Sequence, residues 1–237
     1  MFITVKRRVI SVVLAIVIAA IGTSVAVTAG VAATESENAR YTVVLDAGHG
    51  GADGGMVGRY FKTRESDVNL YVCRILAHYL KKNGYRVVMT RNADVMLSDG
   101  VTASKKLSEM RKREQIIKAA SPDLIVSVHQ NSYPLSSVSG AQVFFDGNNV
   151  EGENAALVFQ STLNQALGGE RRAKSADYYV LQCSSYPSVL VECGFLSNPE
   201  EEKLLRTPAY REKVAYALYV ACCVYLQKNN QKITQNV

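Results

Sequence analysis

Two histidines and two glutamates in this chain have the types and placement to bind a metal ion and move protons. His49 comes just after the apolar run VVLDA, His129 directly follows LIVSV, and Glu192 closes VLV, while Glu65 opens a helical pattern. Each apolar, β-branched run reads as a buried strand. Imidazole and carboxylate are the groups by which hydrolases hold zinc, with three protein ligands and a fourth position kept for water. His49, Glu65 and His129 supply such a set, which leaves Glu192 free to act on the water. Taken singly, each histidine is better read as a polar cap on a loop; the joint placement is what favours a metal. His78, the third histidine, lies within a helical run beside Tyr79 and Lys81 and reads as a surface residue.

His49 stands in a glycine-rich stretch from Gly48 to Gly58. Such a stretch has no side chains to bury and a large ordering entropy, so it reads as a loop whose backbone passes close to something. A nucleotide cradle does not fit. Gly48 and Gly50 begin a G-x-G-x-x-G, but Asp53 stands where the third glycine belongs, and no Walker lysine follows. Asp53 itself reads first as a turn former, and second as a hydrogen-bond partner for a ligand. A cysteine hydrolase with Cys193 as nucleophile and His129 as base is the other enzymatic reading. It leaves His49, Glu65 and the glycine loop without roles, and strand alternation points Cys193 away from the face of Glu192.

The elements that must position these residues alternate in type. Strands are expected at Thr42–Asp46, Tyr85–Met89, Leu124–Val128, Gly140–Phe145, Tyr178–Leu181 and Val189–Val191, with a basic loop at Arg171–Lys174. Helical spacing runs through Val68, Val72, Leu76 and Leu80 to a stop at Asn83-Gly84, then over Thr102–Ala120 after a turn at Ser98–Gly100. Further helices are expected over Asn154–Leu167, from Pro199, and over Pro208–Leu226, with a frayed polar tail from Gln227. The alternation predicts an α/β fold of three layers, α/β/α, on a mainly parallel twisted sheet of about six strands. Ligands of such folds sit beyond the carboxyl ends of the strands, where His49, His129 and Glu192 fall.

A chain of 237 residues with a net charge of +6 has no basic run interleaved with aromatics, so nucleic acid is not an expected partner. Lys6, Arg7 and Arg8 precede an uncharged apolar run from Val9 to Ala33. That run exceeds a signal-peptide core and suits a membrane anchor, although Val31 and Ala33 would also serve a cleavage site. Residues 1–40 are therefore expected to be an anchor or signal with a short linker, and residues 41–237 one extracytoplasmic domain. The five cysteines, Cys73, Cys183, Cys193, Cys222 and Cys223, form no C-x-x-C pair, and most of them read as buried small hydrophobes, without a disulfide framework.

DAGHGGADGG, RESDVNL, SVHQNS, GAQVFF and VLVECGFLSNPEE occur in that order from Asp46 to Glu201. This ordered set resembles the zinc-dependent N-acetylmuramoyl-L-alanine amidases (amidase type 3), which cleave peptidoglycan. The resemblance implies Zn2+ held by His49, Glu65 and His129, Glu192 as the catalytic carboxylate, and an open phosphorylase/hydrolase-like α/β/α sheet. Gln130 and Cys193 replace the small or hydroxylated residues usual at those positions. The spare layout is similar to the germination-specific, sporulation-type members, which act on spore cortex towards muramic-δ-lactam and can depend on an accessory protein. A zinc carboxypeptidase acting on wall peptides, and an inactive membrane-tethered peptidoglycan-binding protein, are the alternatives.

Overall fold

Thr42 to Leu45 are branched, and Val43, Val44 and Leu45 suit a strand buried on both faces. They begin β1 (Thr42–Ala47). There follow α1 (Glu65–Lys82), β2 (Arg86–Met89), α2 (Lys105–Ala120), β3 (Leu124–Asn131), β4 (Gln142–Phe145) and α3 (Val150–Leu167). The chain ends with β5 (Lys174–Ser175), α4 (Tyr179–Gln182), β6 (Ser188–Phe195), α5 (Pro199–Leu205) and α6 (Pro208–Gln235). This computed structural model describes residues 39–98 and 104–235. The expected anchor segment lies outside the described residues, as do the end of the Ser98–Gly100 turn and the expected helix start at Thr102. Among the described residues no helix is long and apolar enough to cross a membrane.

The six strands form one sheet in the order β2-β1-β3-β6-β4-β5. β2, β1, β3 and β6 run parallel, whereas β4 is antiparallel to β6 and carries β5 parallel to itself. The reversal has a simple cause. Residues 132–141, between β3 and β4, hold no helix and are too few to return the chain to the far end of the sheet, as a parallel β4 would need.

Strand alternation divides two cores. Val43, Leu45, Val126, Val128, Val189 and Val191 face a large core closed by α1, α3 and α6. Val44, Ile125 and Leu190 face a smaller one closed by Ile117 of α2 and by Val180 and Leu181 of α4. Helices on both faces give the three layers. Each fully buried Val or Leu contributes about 1.5–3 kcal/mol over its exposed state, so the large core carries most of the hydrophobic drive. The smaller layer leaves the carboxyl ends of β1, β3 and β6 uncovered on its side, and an open groove of about 820 Å³ lies there.

Several elements differ from expectation. Tyr179–Gln182 is a helical turn, not a strand, and packs Val180 and Leu181 on the small core. A four-residue apolar run fits either state, and here no strand lies alongside it to pair with. Lys174, expected in a basic loop, and Ser175 pair with Phe144 and Phe145 as the edge strand β5. α3 starts four residues early because the Asn149 side chain accepts from the Gly152 N–H (2.8 Å) as an N-cap. α6 continues past Gln227 to Gln235, since no Gly or Pro interrupts it. β3 and β6 also run on, so His129 and Glu192 lie inside strands and not just beyond them.

Candidate metal centre

Register fixes the first pair. His129 on β3 lies directly beside Glu192 on β6, and both side chains leave the sheet on the face of the small core. Cys193, the next residue, turns into the large core, where it is fully buried and burial pushes its thiol well up. That removes Cys193 as a nucleophile. All five cysteines are free, and Cys73 and Cys222 are likewise core residues.

Glu65 is the first residue of α1, where the positive end of the helix dipole favours a carboxylate. Its Oε1 lies 2.9 Å from His129 Nδ1 and 3.2 Å from His49 Nε2, and its Oε2 accepts from the Met56 N–H at 2.8 Å. Burial raises a carboxyl pKa, but the two imidazoles outweigh it and hold Glu65 far below the usual range. His49 has a left-handed backbone (φ 61°) that brings its ring to 5.0 Å from that of His129. Its Nδ1 lies 2.8 Å from Asp53 Oδ2, which leaves Nε2 turned toward Glu65. Burial lowers the His49 pKa, yet Glu65 and Asp53 together raise it to about 9. Asp53 therefore does more than the turn first expected of it: it closes the Gly50–Asp53 bridge and also orients a ring.

Two glycines answer to these side chains directly. A Cβ on Gly48 would lie 2.2 Å from the His129 ring, and one on Gly55, whose φ is 65°, would lie 2.6 Å from Glu65 Oε2. The glycines thus admit the candidate ligands themselves.

Behind the site stand residues whose role is not evident in the sequence. Arg113 of α2 is buried between Asp46 and Glu109: Nη1 pairs with Asp46, and Nη2 meets Glu109 Oε1 at 2.7 Å. Arg113 also donates to the carbonyls of Ala47 (3.0 Å) and His49 (2.9 Å). Arg91 donates to the carbonyls of Ala47 (2.9 Å), Gly48 (3.0 Å) and Ser66 (2.9 Å). Burial opposes the Asp46 charge, but Arg113, Ser127 and Thr90 hold its pKa down to about 2. Two buried guanidiniums therefore fix the backbone from which His49 projects.

His49, Glu65 and His129 each offer one ligand atom, all within 4.8 Å of one another. Metal–ligand bonds of about 2.0–2.2 Å place neighbouring donors about 3 Å apart, as Glu65 Oε1 stands from His129 Nδ1 (2.9 Å) and His49 Nε2 (3.2 Å), so this donor set fits a small divalent cation. Glu192 stands beside it with Oε2 buried and, among the described residues, without a hydrogen-bond partner. Burial raises its carboxyl to about 7, with His129 opposing and Glu65 adding to the shift. The groove is further lined by Arg59, Lys106, Met110, Tyr133, Tyr178 and Tyr179.

A mixed sheet that brings two imidazoles and a carboxylate together at the carboxyl ends of its parallel strands, beside an acid of near-neutral pKa, has the groups that metal-assisted hydrolysis needs. Residues 43–223 match the N-acetylmuramoyl-L-alanine amidase family. The chain is 39% identical over 182 residues to a germination-specific N-acetylmuramoyl-L-alanine amidase of Bacillus subtilis, covering 75% of this chain and 76% of that one. Its fold is similar to the CwlD amidase of Clostridioides difficile, solved in complex with the GerS lipoprotein (TM-score 0.76, 34% identity, 79% of this chain and 99% of that one). It is also similar to the catalytic domain of CwlV, an N-acetylmuramoyl-L-alanine amidase from Bacillus (Paenibacillus) polymyxa (TM-score 0.71, 28% identity, 79% and 98%). The chain belongs to the N-acetylmuramoyl-L-alanine amidase family and is a peptidoglycan amidase.

Proposed function

We propose that the protein is a zinc amidase in which His49, Glu65 and His129 hold the ion and Glu192 carries the proton. The observation that supports this most is the convergence of those three donors beside the unpartnered, buried Glu192 oxygen. When bound, zinc supplies a Lewis acid for the amide carbonyl and lowers the pKa of water. Glu192, ionised in part near neutrality, takes the proton of the attacking water. It returns that proton to the departing nitrogen as the bond between the lactyl carbonyl and L-alanine breaks. Asp53 keeps His49 in the tautomer that presents Nε2. The Gly48 and Gly55 backbones leave the ligands unobstructed.

Zinc binding should release protons. Without metal His49 is protonated at pH 7, since its pKa is about 9, and the ion must displace that proton. Calorimetry in two buffers of different ionisation enthalpy should give one zinc per chain and about one proton released at pH 7, declining above pH 9. Equal apparent enthalpies in both buffers at pH 7 would contradict the ligand role of His49.

Residues 41–237 are proposed as the catalytic domain, placed outside the cytoplasm by an anchor or signal within residues 1–40. A role in spore cortex is supported by the likeness to the germination-specific relative. The complex in which the C. difficile amidase was solved supports an accessory protein as a partner. Spores of a deletion strain should lack muramic-δ-lactam; an unchanged lactam content excludes the cortex role.

A further inference from the structure

The loop Gly58–Thr63, which reaches the groove through Arg59, is built around a buried carboxylate. Glu202 of α5 is fully buried, and it accepts from the backbone N–H groups of Tyr60 (2.9 Å), Phe61 (3.0 Å) and Thr63 (3.1 Å). A Cβ on Gly58 would lie 2.0 Å from Glu202 Oε1, and Lys62 takes a left-handed φ of 58° that non-glycine residues rarely adopt. A buried charge and a strained residue therefore hold in one shape a loop whose Tyr60 and Phe61 side chains are exposed.

Arg59 is the residue this loop carries into the groove. Its backbone N–H donates to Leu196 O at 3.4 Å, and its Nη1 donates to Pro134 O at 3.3 Å. The second contact steadies the guanidinium and leaves Nε and Nη2 for a ligand; among the described residues no carboxylate pairs with Arg59. Met56, which donates to Glu65, is three residues away, a chain reach of at most about 10 Å.

We infer that Arg59 is a specificity-determining residue that binds a free carboxylate on the stem peptide, on the residue that follows L-alanine. The inference rests on the amidase reading. With the lactyl carboxyl tied up in the scissile amide, the sugars are neutral, so the anionic groups near that bond belong to the peptide. A planar guanidinium with one edge free matches a carboxylate in two parallel hydrogen bonds.

Two synthetic muramyl peptides test it, identical except that the second residue bears a carboxylate in one and a carboxamide in the other. The wild-type protein should prefer the carboxylate by roughly 10–100-fold in kcat/KM, mainly through KM, the range of a charge-assisted hydrogen bond. Arg59→Gln should abolish the preference by raising KM for the carboxylate substrate alone, and Arg59→Lys should restore part of it. Lys106→Gln, at another cation lining the groove, should keep it. Cleavage of both substrates at equal rates by the wild type, or an undiminished preference in Arg59→Gln, would overturn the inference while leaving the amidase reading intact. No cleavage of either by the wild type would overturn both.

Discussion

Glu192→Gln should retain the fold and the bound metal and lose about 10²–10⁴-fold in turnover on peptidoglycan, the usual contribution of a positioned acid–base group. Glutamine has the size of glutamate but cannot take up a proton at neutral pH. Glu192 is 9% exposed on β6, in register with His129, so the replacement disturbs little packing. It also relieves the cost of burying a charge, and the melting temperature should hold or rise. Turnover, metal content and thermal denaturation measured on one preparation separate these effects. Cleavage close to wild type with zinc retained would remove Glu192 from the mechanism.

Arg113→Met should destabilise the protein by about 3–5 kcal/mol, because it leaves Asp46 and Glu109 buried without their common cation. For a chain of this size that is a fall of roughly 6–20 °C in melting temperature. The variant should respond to pH as well. Asp46, with its pKa held to about 2, contributes stability that is present above its unfolded value near 4 and lost as pH falls toward 2. Without Arg113 burial dominates, the Asp46 pKa rises, and acid unfolding moves to higher pH. Zinc affinity should fall too, since Arg113 no longer holds the His49 carbonyl. Denaturation across pH with a parallel zinc titration checks both effects; a loss below about 1 kcal/mol would show the ion network to be dispensable.

The candidate ligands were legible because they adjoin strong signals. Apolar β-branched runs mark β1, β3 and β6, and a polar residue at the end of such a run in an α/β chain faces the ligand side. Glu65 was legible as the start of a helix. Arg91, Arg113 and Glu202 were not, because a charged residue in an amphipathic helix or a loop reads as solvated surface. Their partners are remote: Asp46 lies 67 residues from Arg113, and Thr63 lies 139 from Glu202. Burial of that kind is set by tertiary packing and leaves no local period. The two-residue β5 and the helical turn α4 are similarly silent, since each owes its form to a neighbour and not to its own pattern. Asp53 lay between, recognisable as a turn residue, but with its hold on His49 depending on the left-handed fold of the loop.

The most direct measurement is to digest purified peptidoglycan with the protein and identify the products by mass spectrometry, with and without a chelator. Released peptides with free amino-terminal L-alanine, absent in chelator and restored by zinc, are the expected result. Stem peptides shortened while still joined to the glycan, or amidase products undiminished by chelation, would contradict it.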